Sequence, residues 1–336
     1  MFLLAGMLGL LAVGGAMLAD FTVEEPDEDA AGDTGLGTSG SGSGADAGSD
    51  LLDQGTGKAE AGDATGDPPP DVILPGSAQD DNLAGGAGDD QINGYSGDDR
   101  IAGGSGRDDL YGAEGADTLI GGDGTDSLDG GDGSDRIDGG NGSDLAFGGF
   151  GDDGMGGGAG DDTLHGGQGA DAIDGGGGND QLHGNDGDDT LAGGAGNDVL
   201  FGGRGADAVS GADDGAETDF LNGGDGDDTL VAGAGDVMTG GAGHDSFLAG
   251  DWIVGGPQAR IMDFDPEEDR LVIAWDLAKS PDPDVEITPE SDGSGLFRVV
   301  IDGVPVVRVA ADGAPSVDDI VLMDSSVVRG VAAPSA

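Results

Sequence analysis

The chain is 336 residues long, with 69 acidic and 11 basic side chains, a formal net charge of −58 and no cysteine. Nucleic acid and anionic membrane surfaces are excluded as partners, because no basic patch exists to meet them; disulfide frameworks and thiolate metal sites are excluded too. Aromatic residues make up 4%, too few for one large conventional core, and self-repulsion of this size opposes compaction unless cations bind.

Residues 1–19 form an unbroken apolar or glycine run ending at Asp20. As a helix rising about 1.5 Å per residue it would reach about 28 Å, close to the thickness of a bilayer core. Three readings stay open: an uncleaved membrane anchor, a cleaved secretory signal and a buried helix. The signal reading lacks a basic n-region, since the first Lys or Arg is Lys58. Residues 20–75 follow as an acidic linker expected to be disordered, with Glu24, Glu25, Asp27, Glu28 and Asp29 near its start. A Gly/Ser-rich middle leads to Pro68, Pro69 and Pro70.

The strict part of the chain begins at Gly76. Residues 76–210 number 135 and divide into fifteen units of nine without an insertion. Gly85-Gly86-Ala87-Gly88-Asp89-Asp90-Gln91-Ile92-Asn93 is one copy. Every unit starts with Gly and has Asp at its sixth place; the fourth place is Gly in all but one, where Gln79 stands. A period this exact in length makes each unit meet its neighbours alike, which predicts a solenoid. Glycines at the first, second and fourth places suit a tight turn with positive φ, which turns carbonyl oxygens into one concavity. The sixth-place carboxylate adds a hard oxygen, and an oxygen-only set suits Ca²⁺. The last three places, polar-apolar-polar, read as a very short strand with one side chain inward. Ile92, Ile101, Leu110, Leu119 and their equivalents would then form an internal ladder. Each is worth about 1.5–3 kcal/mol on burial. Ordering nine residues costs more than that, at about 1–2 kcal/mol of backbone entropy for each. The fold therefore needs its metal.

The phrase Gly-Gly-x-Gly-x-Asp-x-apolar-x resembles the repeats-in-toxin (RTX) family of hemolysin-type calcium-binding repeats. That resemblance implies a serralysin-like parallel β-roll with two nonapeptides per coil and multiple Ca²⁺ ions between turns stacked on one edge. It assigns the side-chain ligands to Asp81, Asp90, Asp99, Asp108, Asp117, Asp126, Asp135, Asp144, Asp153, Asp162, Asp171, Asp180, Asp189, Asp198 and Asp207, with glycine-turn carbonyls completing each set. The register loosens afterwards: residues 211–222 run three too long and 232–239 one too short. Asp219, Asp228, Asp236 and Asp245 continue the series. The β-roll is thus expected over 76–248.

Beyond residue 249 glycine thins out and β-branched residues appear, giving a β-rich capping region over 249–336. Arg270 to Trp275 reads as a strand, and Asp302-Gly303 between two apolar runs is a hairpin signal. The run from Ile261 to Leu271 resembles the segment that closes RTX rolls. Its expected role is to cover the last open coil.

No catalytic constellation is legible: there is no His-Glu-x-x-His, no Gly-x-Ser-x-Gly and no phosphate loop. His165 and His183 share the ninth place eighteen residues apart, so they should stack as an exposed ladder; a transition-metal pair is the alternative. Tyr111, Ile120, Phe147 and Phe201 at the same place form a candidate surface for self-association or a partner, against scattered surface apolars. The unit from Gly139 holds Ala146 at its core place between Leu145 and Phe147, so a one-residue slip competes with the regular register. The whole is mainly β: an apolar N-terminal helix, an acidic linker, a β-solenoid and a cap. The reading is a non-enzymatic calcium-binding protein, extracellular or on the cell surface, with membrane contact through residues 1–19 only. Alternatives are a calcium-rigidified adhesin or surface-layer spacer, and a polysaccharide-active enzyme using the roll as scaffold.

Overall fold

Residues eighteen apart lie side by side, so each coil is two nonapeptides: Ile92 pairs with Leu110, and Ile101 with Leu119. The structure is a computed structural model describing residues 70–212, 217–291, 293–311 and 315–326. The expected N-terminal helix and nearly all of the acidic linker lie outside these residues. Alternate units contribute alternate strands, producing one parallel stack of coils with two faces. One face is a 14-stranded sheet and the other a 12-stranded sheet.

The strands are longer than the sequence pattern suggests. Gln91–Ser96 and Arg136–Asn141 are six residues each, running from the polar-apolar-polar triplet into the glycines of the next unit. Two places per strand therefore face inward, the eighth and the following first. Ile92, Leu110, Leu128, Ile137, Leu164 and Leu182 are fully buried at the eighth. The first place is glycine for want of room. At Gly121 a Cβ would stand 2.5 Å from the Gly139 carbonyl oxygen and 2.6 Å from Asp126 Oδ2. This corrects one expectation: positive φ belongs to the second and fourth places, as at Gly140 (φ 100°) and Gly142 (φ 138°), and not to the first. Tyr95 (φ 77°), Ala113 (φ 86°) and Asn185 (φ 81°) take the second-place conformation without being glycine.

The regular register holds at Ala146. Its side chain is fully buried, Leu145 and Phe147 stay outside, and Thr163, Leu164 and His165 pair with Leu145, Ala146 and Phe147. The irregular units also keep step. Leu221 pairs with Leu200 and Met238, so the extra residues are absorbed between strands.

The roll starts earlier and ends later than the repeat does. Ile73–Ser77 is already a strand, paired with Gln91–Ser96. At the other end Ala259–Phe264 extends the 14-stranded sheet, and Arg270–Trp275 extends the 12-stranded one, both in parallel. Val304–Ala311 then adds in parallel, and the antiparallel strands Phe297–Ile301 and Val285–Pro289 close that sheet. Asp302 (φ 52°) and Gly303 (φ 78°) make the expected hairpin turn. Ile320–Asp324 ends the other sheet. Here the outer face is covered as well: Val231, Leu248, Val272 and Ala274 are buried beneath Trp252, whose indole N–H donates to the Ala232 carbonyl at 2.9 Å.

Candidate metal centre

The sixth-place aspartates stand in two columns, one on each edge of the roll. The strand that precedes each Asp and the glycine turn that follows the previous strand fix its position, so every copy repeats one geometry. In each column the backbone N–H of one Asp donates to Oδ1 of the Asp one coil further on. Asp90 donates to Asp108 at 2.9 Å, Asp108 to Asp126 at 2.9 Å and Asp126 to Asp144 at 2.8 Å. The other column runs likewise through Asp99 and Asp117 to Asp135. The irregular units join in: Asp198 donates to Asp219 at 2.9 Å and Asp207 to Asp228 at 2.8 Å.

That accounts for one oxygen of each carboxylate. The other is buried and meets no donor in sixteen of them, from Asp90 through Asp207 at intervals of nine and then Asp219 and Asp228. A buried carboxylate oxygen without a partner is costly. Burial accordingly pushes Asp108, Asp126, Asp135, Asp144, Asp162, Asp171 and Asp228 up to about 6, offset in part by the accepted backbone N–H. Asp153, Asp180, Asp189, Asp207 and Asp245 reach about 7 for the same reason. Neighbouring carboxylates raise several of them further.

The partnerless oxygen lies close to backbone carbonyl oxygens of the next coil. At Gly139 the space where a Cβ would sit lies 2.7 Å from Asp144 Oδ2 and 2.6 Å from the Gly157 carbonyl oxygen, one coil on. No three acidic or imidazole side chains converge on one point among the described residues. An ion held here must therefore take most of its ligands from the backbone, which suits a hard cation that accepts carbonyls.

The columns are finished differently at their ends. Asp81 is half-buried, and its Oδ2 accepts from the Ser77 N–H at 2.6 Å and the Ser77 hydroxyl at 2.9 Å. Asp236 Oδ2 accepts from the Gly233 N–H at 2.5 Å. Beyond Asp245 the column reaches Asp269, a residue the periodic pattern does not reveal. Its Oδ1 accepts from the Asp245 N–H at 3.0 Å and its Oδ2 from the Asp265 N–H at 2.7 Å. Twenty-four residues separate it from Asp245, so no spacing rule points to it. Only the bend at Pro266, between two apolar strands, marks the place.

Fifth-place acids have a different, structural task. Asp89 Oδ1 accepts from the Arg107 N–H at 2.9 Å and Asp98 Oδ1 from the Ala116 N–H at 3.0 Å, fastening adjacent turns. On the 14-stranded face His165 and His183 stack as expected, with ring centroids 4.7 Å apart and planes within 10°. Near-parallel imidazoles cannot both aim an in-plane lone pair at one ion, so this pair is no transition-metal site. Phe147 and Phe201 continue the stack at either end, at 5.1 and 5.0 Å.

The model of the RTX calcium-binding nonapeptide repeat matches residues 75–110, 103–137, 111–146, 120–155, 147–182, 183–215 and 212–237. Among solved structures, the AlgE6R3 subunit from the Azotobacter vinelandii mannuronan C5-epimerase is similar at 29% identity, covering 48% of this chain and 78% of that chain, with a TM-score of 0.22. No curated protein matches.

Proposed function

We propose, from the premise that residues 75–237 are RTX calcium-binding nonapeptide repeats, that this protein is ordered by calcium and works as a rigid calcium-set rod outside the cell. The sixteen buried carboxylate oxygens without a donor carry the reading, because a divalent cation is the partner that both their charge and their burial demand. Asp90 through Asp207, Asp219 and Asp228 would supply the side-chain oxygen of each site, and first-place glycine carbonyls such as that of Gly157 would supply backbone oxygens. Asp81 and Asp236 already have protein donors on the second oxygen and would contribute least. Extracellular placement follows from function: sites built on one carboxylate and carbonyls need the near-millimolar Ca²⁺ found outside cells. Residues 1–19 would serve as signal or anchor. The role is structural, as a spacer or adhesive element, and not enzymatic.

The test is a calcium titration of chelator-treated protein followed by far-UV circular dichroism. A large cooperative gain of β signal at millimolar Ca²⁺, poorly reproduced by Mg²⁺, is expected. Identical β content with chelator and with calcium would overturn the reading.

A further inference from the structure

Four phenylalanines of the repeat array face outward. From Ile92 to Val209 the interior ladder holds no aromatic residue, and Phe247 and Phe264 are buried only towards the C-terminal end, while Phe147, Phe150, Phe201 and Phe220 stand 39–55% exposed on one face of the roll. All four lie within five successive strands of the 14-stranded sheet, together with exposed Leu145. Apolar patches of this kind mark contact surfaces. The opposite face is partly covered at its C-terminal end beneath Trp252, whereas this one is open.

The order of residues along the patch shows what fits it. Down the ninth place the rings read Phe147, His165, His183, Phe201, the same forwards and backwards. Down the seventh place the row is Leu145, Thr163, Gln181, Val199, again aliphatic, polar, polar, aliphatic. Both rows mirror about the line between the strands Thr163–Gln168 and Gln181–Asp186. A two-fold axis parallel to the strands, laid along that line, brings a second copy face to face with its coils running the other way. Phe147 then meets Phe201 of the other copy, and Leu145 meets Val199. In the third-place row Phe150 meets Arg204, a cation over an aromatic ring, and Gln168 meets Asp186. A self-complementary surface of this form is what an isologous dimer requires.

We propose that the exposed ring stack is the centre of an antiparallel dimer of this chain, with the 14-stranded sheets packed face to face. Carbohydrate does not suit the stack, since His165 and His183 have their faces covered by neighbouring rings and present only edges. The four central strands offer a footprint of roughly 19 by 20 Å, from strand spacing and rise. That is about half of the roughly 800 Å² per partner typical of stable complexes, so the dimer is weak and depends on concentration. Two chains of −58 charge repel, so calcium and added salt both favour it.

The test is sedimentation equilibrium of the full chain in millimolar Ca²⁺ and moderate salt, over a wide range of protein concentration. A reversible dimer is expected, with dissociation on chelation. F147S and F201S should each raise the dissociation constant about tenfold or more. Both positions lie outside the core, and an unchanged calcium titration by circular dichroism verifies the fold. The single variants F147K and F201E should each weaken the dimer, and the double variant F147K/F201E should recover it at low salt, because position 147 faces 201 across the axis. A wild-type monomer at every concentration would overturn the proposal. So would a dimer indifferent to these substitutions, or a double variant no better than either single one. None of these results bears on calcium binding, which the titration reads separately.

Discussion

At the scale of single residues, two glycines on neighbouring strands, Gly139 and Gly154, show why the repeat is spelled as it is. Gly139 has no positive φ, yet a Cβ there would meet both Asp144 Oδ2 and the Gly157 carbonyl. Gly139→Ala should therefore remove one ion and cost about 1–3 kcal/mol through overpacking. Gly154 is the control, since a Cβ there meets nothing nearer than the Asp135 carbonyl at 4.0 Å. Gly154→Ala should be neutral or stabilising by about 0.5–1 kcal/mol, because glycine loses more conformational freedom than alanine when its backbone is fixed. Chemical denaturation with calcium present compares the two. The aspartates themselves set a pH dependence whose sign is opposite to that of ordinary surface acids. Their folded values lie above 3.8, at about 6 for Asp126 and about 7 for Asp180. Protonation therefore stabilises the metal-free roll: the contribution is full below pH 3.8 and is lost as pH rises through 6 to 7. In chelator, acidification from neutral pH should raise β content. With calcium, the same acidification should weaken ion binding, because protons compete for the carboxylates. Circular dichroism against pH in the two buffers checks both signs, and a metal-free chain unmoved by acid would contradict the first.

Elements were legible in proportion to how local their cause is. The period, the inward eighth place and the Asp columns could all be read, since each repeats a short-range steric or ligand requirement. The hairpin at Asp302 and Gly303 could be read from its turn chemistry. The six-residue length of the strands could not, because their extension through Gly94 and its equivalents depends on pairing with coils above and below. Asp269 was hidden for a related reason: it takes its place in the column by tertiary docking of the cap. The strand Val285–Pro289 has little apolar signal and exists as the partner of Phe297–Ile301. The strand Leu145–Phe150 is expected to be the weak element of the regular array. It keeps the Asp144 register at the expense of burying only Ala146, between Leu128 and Leu164 in the ladder. Leu→Ala in a core costs about 2–5 kcal/mol, and this unit carries alanine where its ladder neighbours carry leucine. Hydrogen exchange with calcium bound should be faster at Leu145 to Phe150 than at Gln181 to Asp186, and Ala146→Leu should slow it. Uniform protection along the roll would mean that ligation alone sets local stability.

Across the whole molecule, the backbone hydrogen bonds between coils point along the axis, and each coil touches only the coils before and after it. Stability is therefore close to a sum over neighbours. The eighteen-residue coil has a mechanical consequence. Stacked, a coil adds one strand spacing of about 4.8 Å to the height of the rod. Pulled straight, the same eighteen residues span about 60 Å. A load applied at the two ends peels coils one at a time, each release paying out about 55 Å of chain. Single-molecule extension in calcium should show a regular sawtooth with that step, and chelation should flatten it to a featureless stretch. The protein would then be a tether whose reach is set by the calcium around it: short and stiff where the ion is plentiful, slack where it is scarce, with a contour more than tenfold longer per coil.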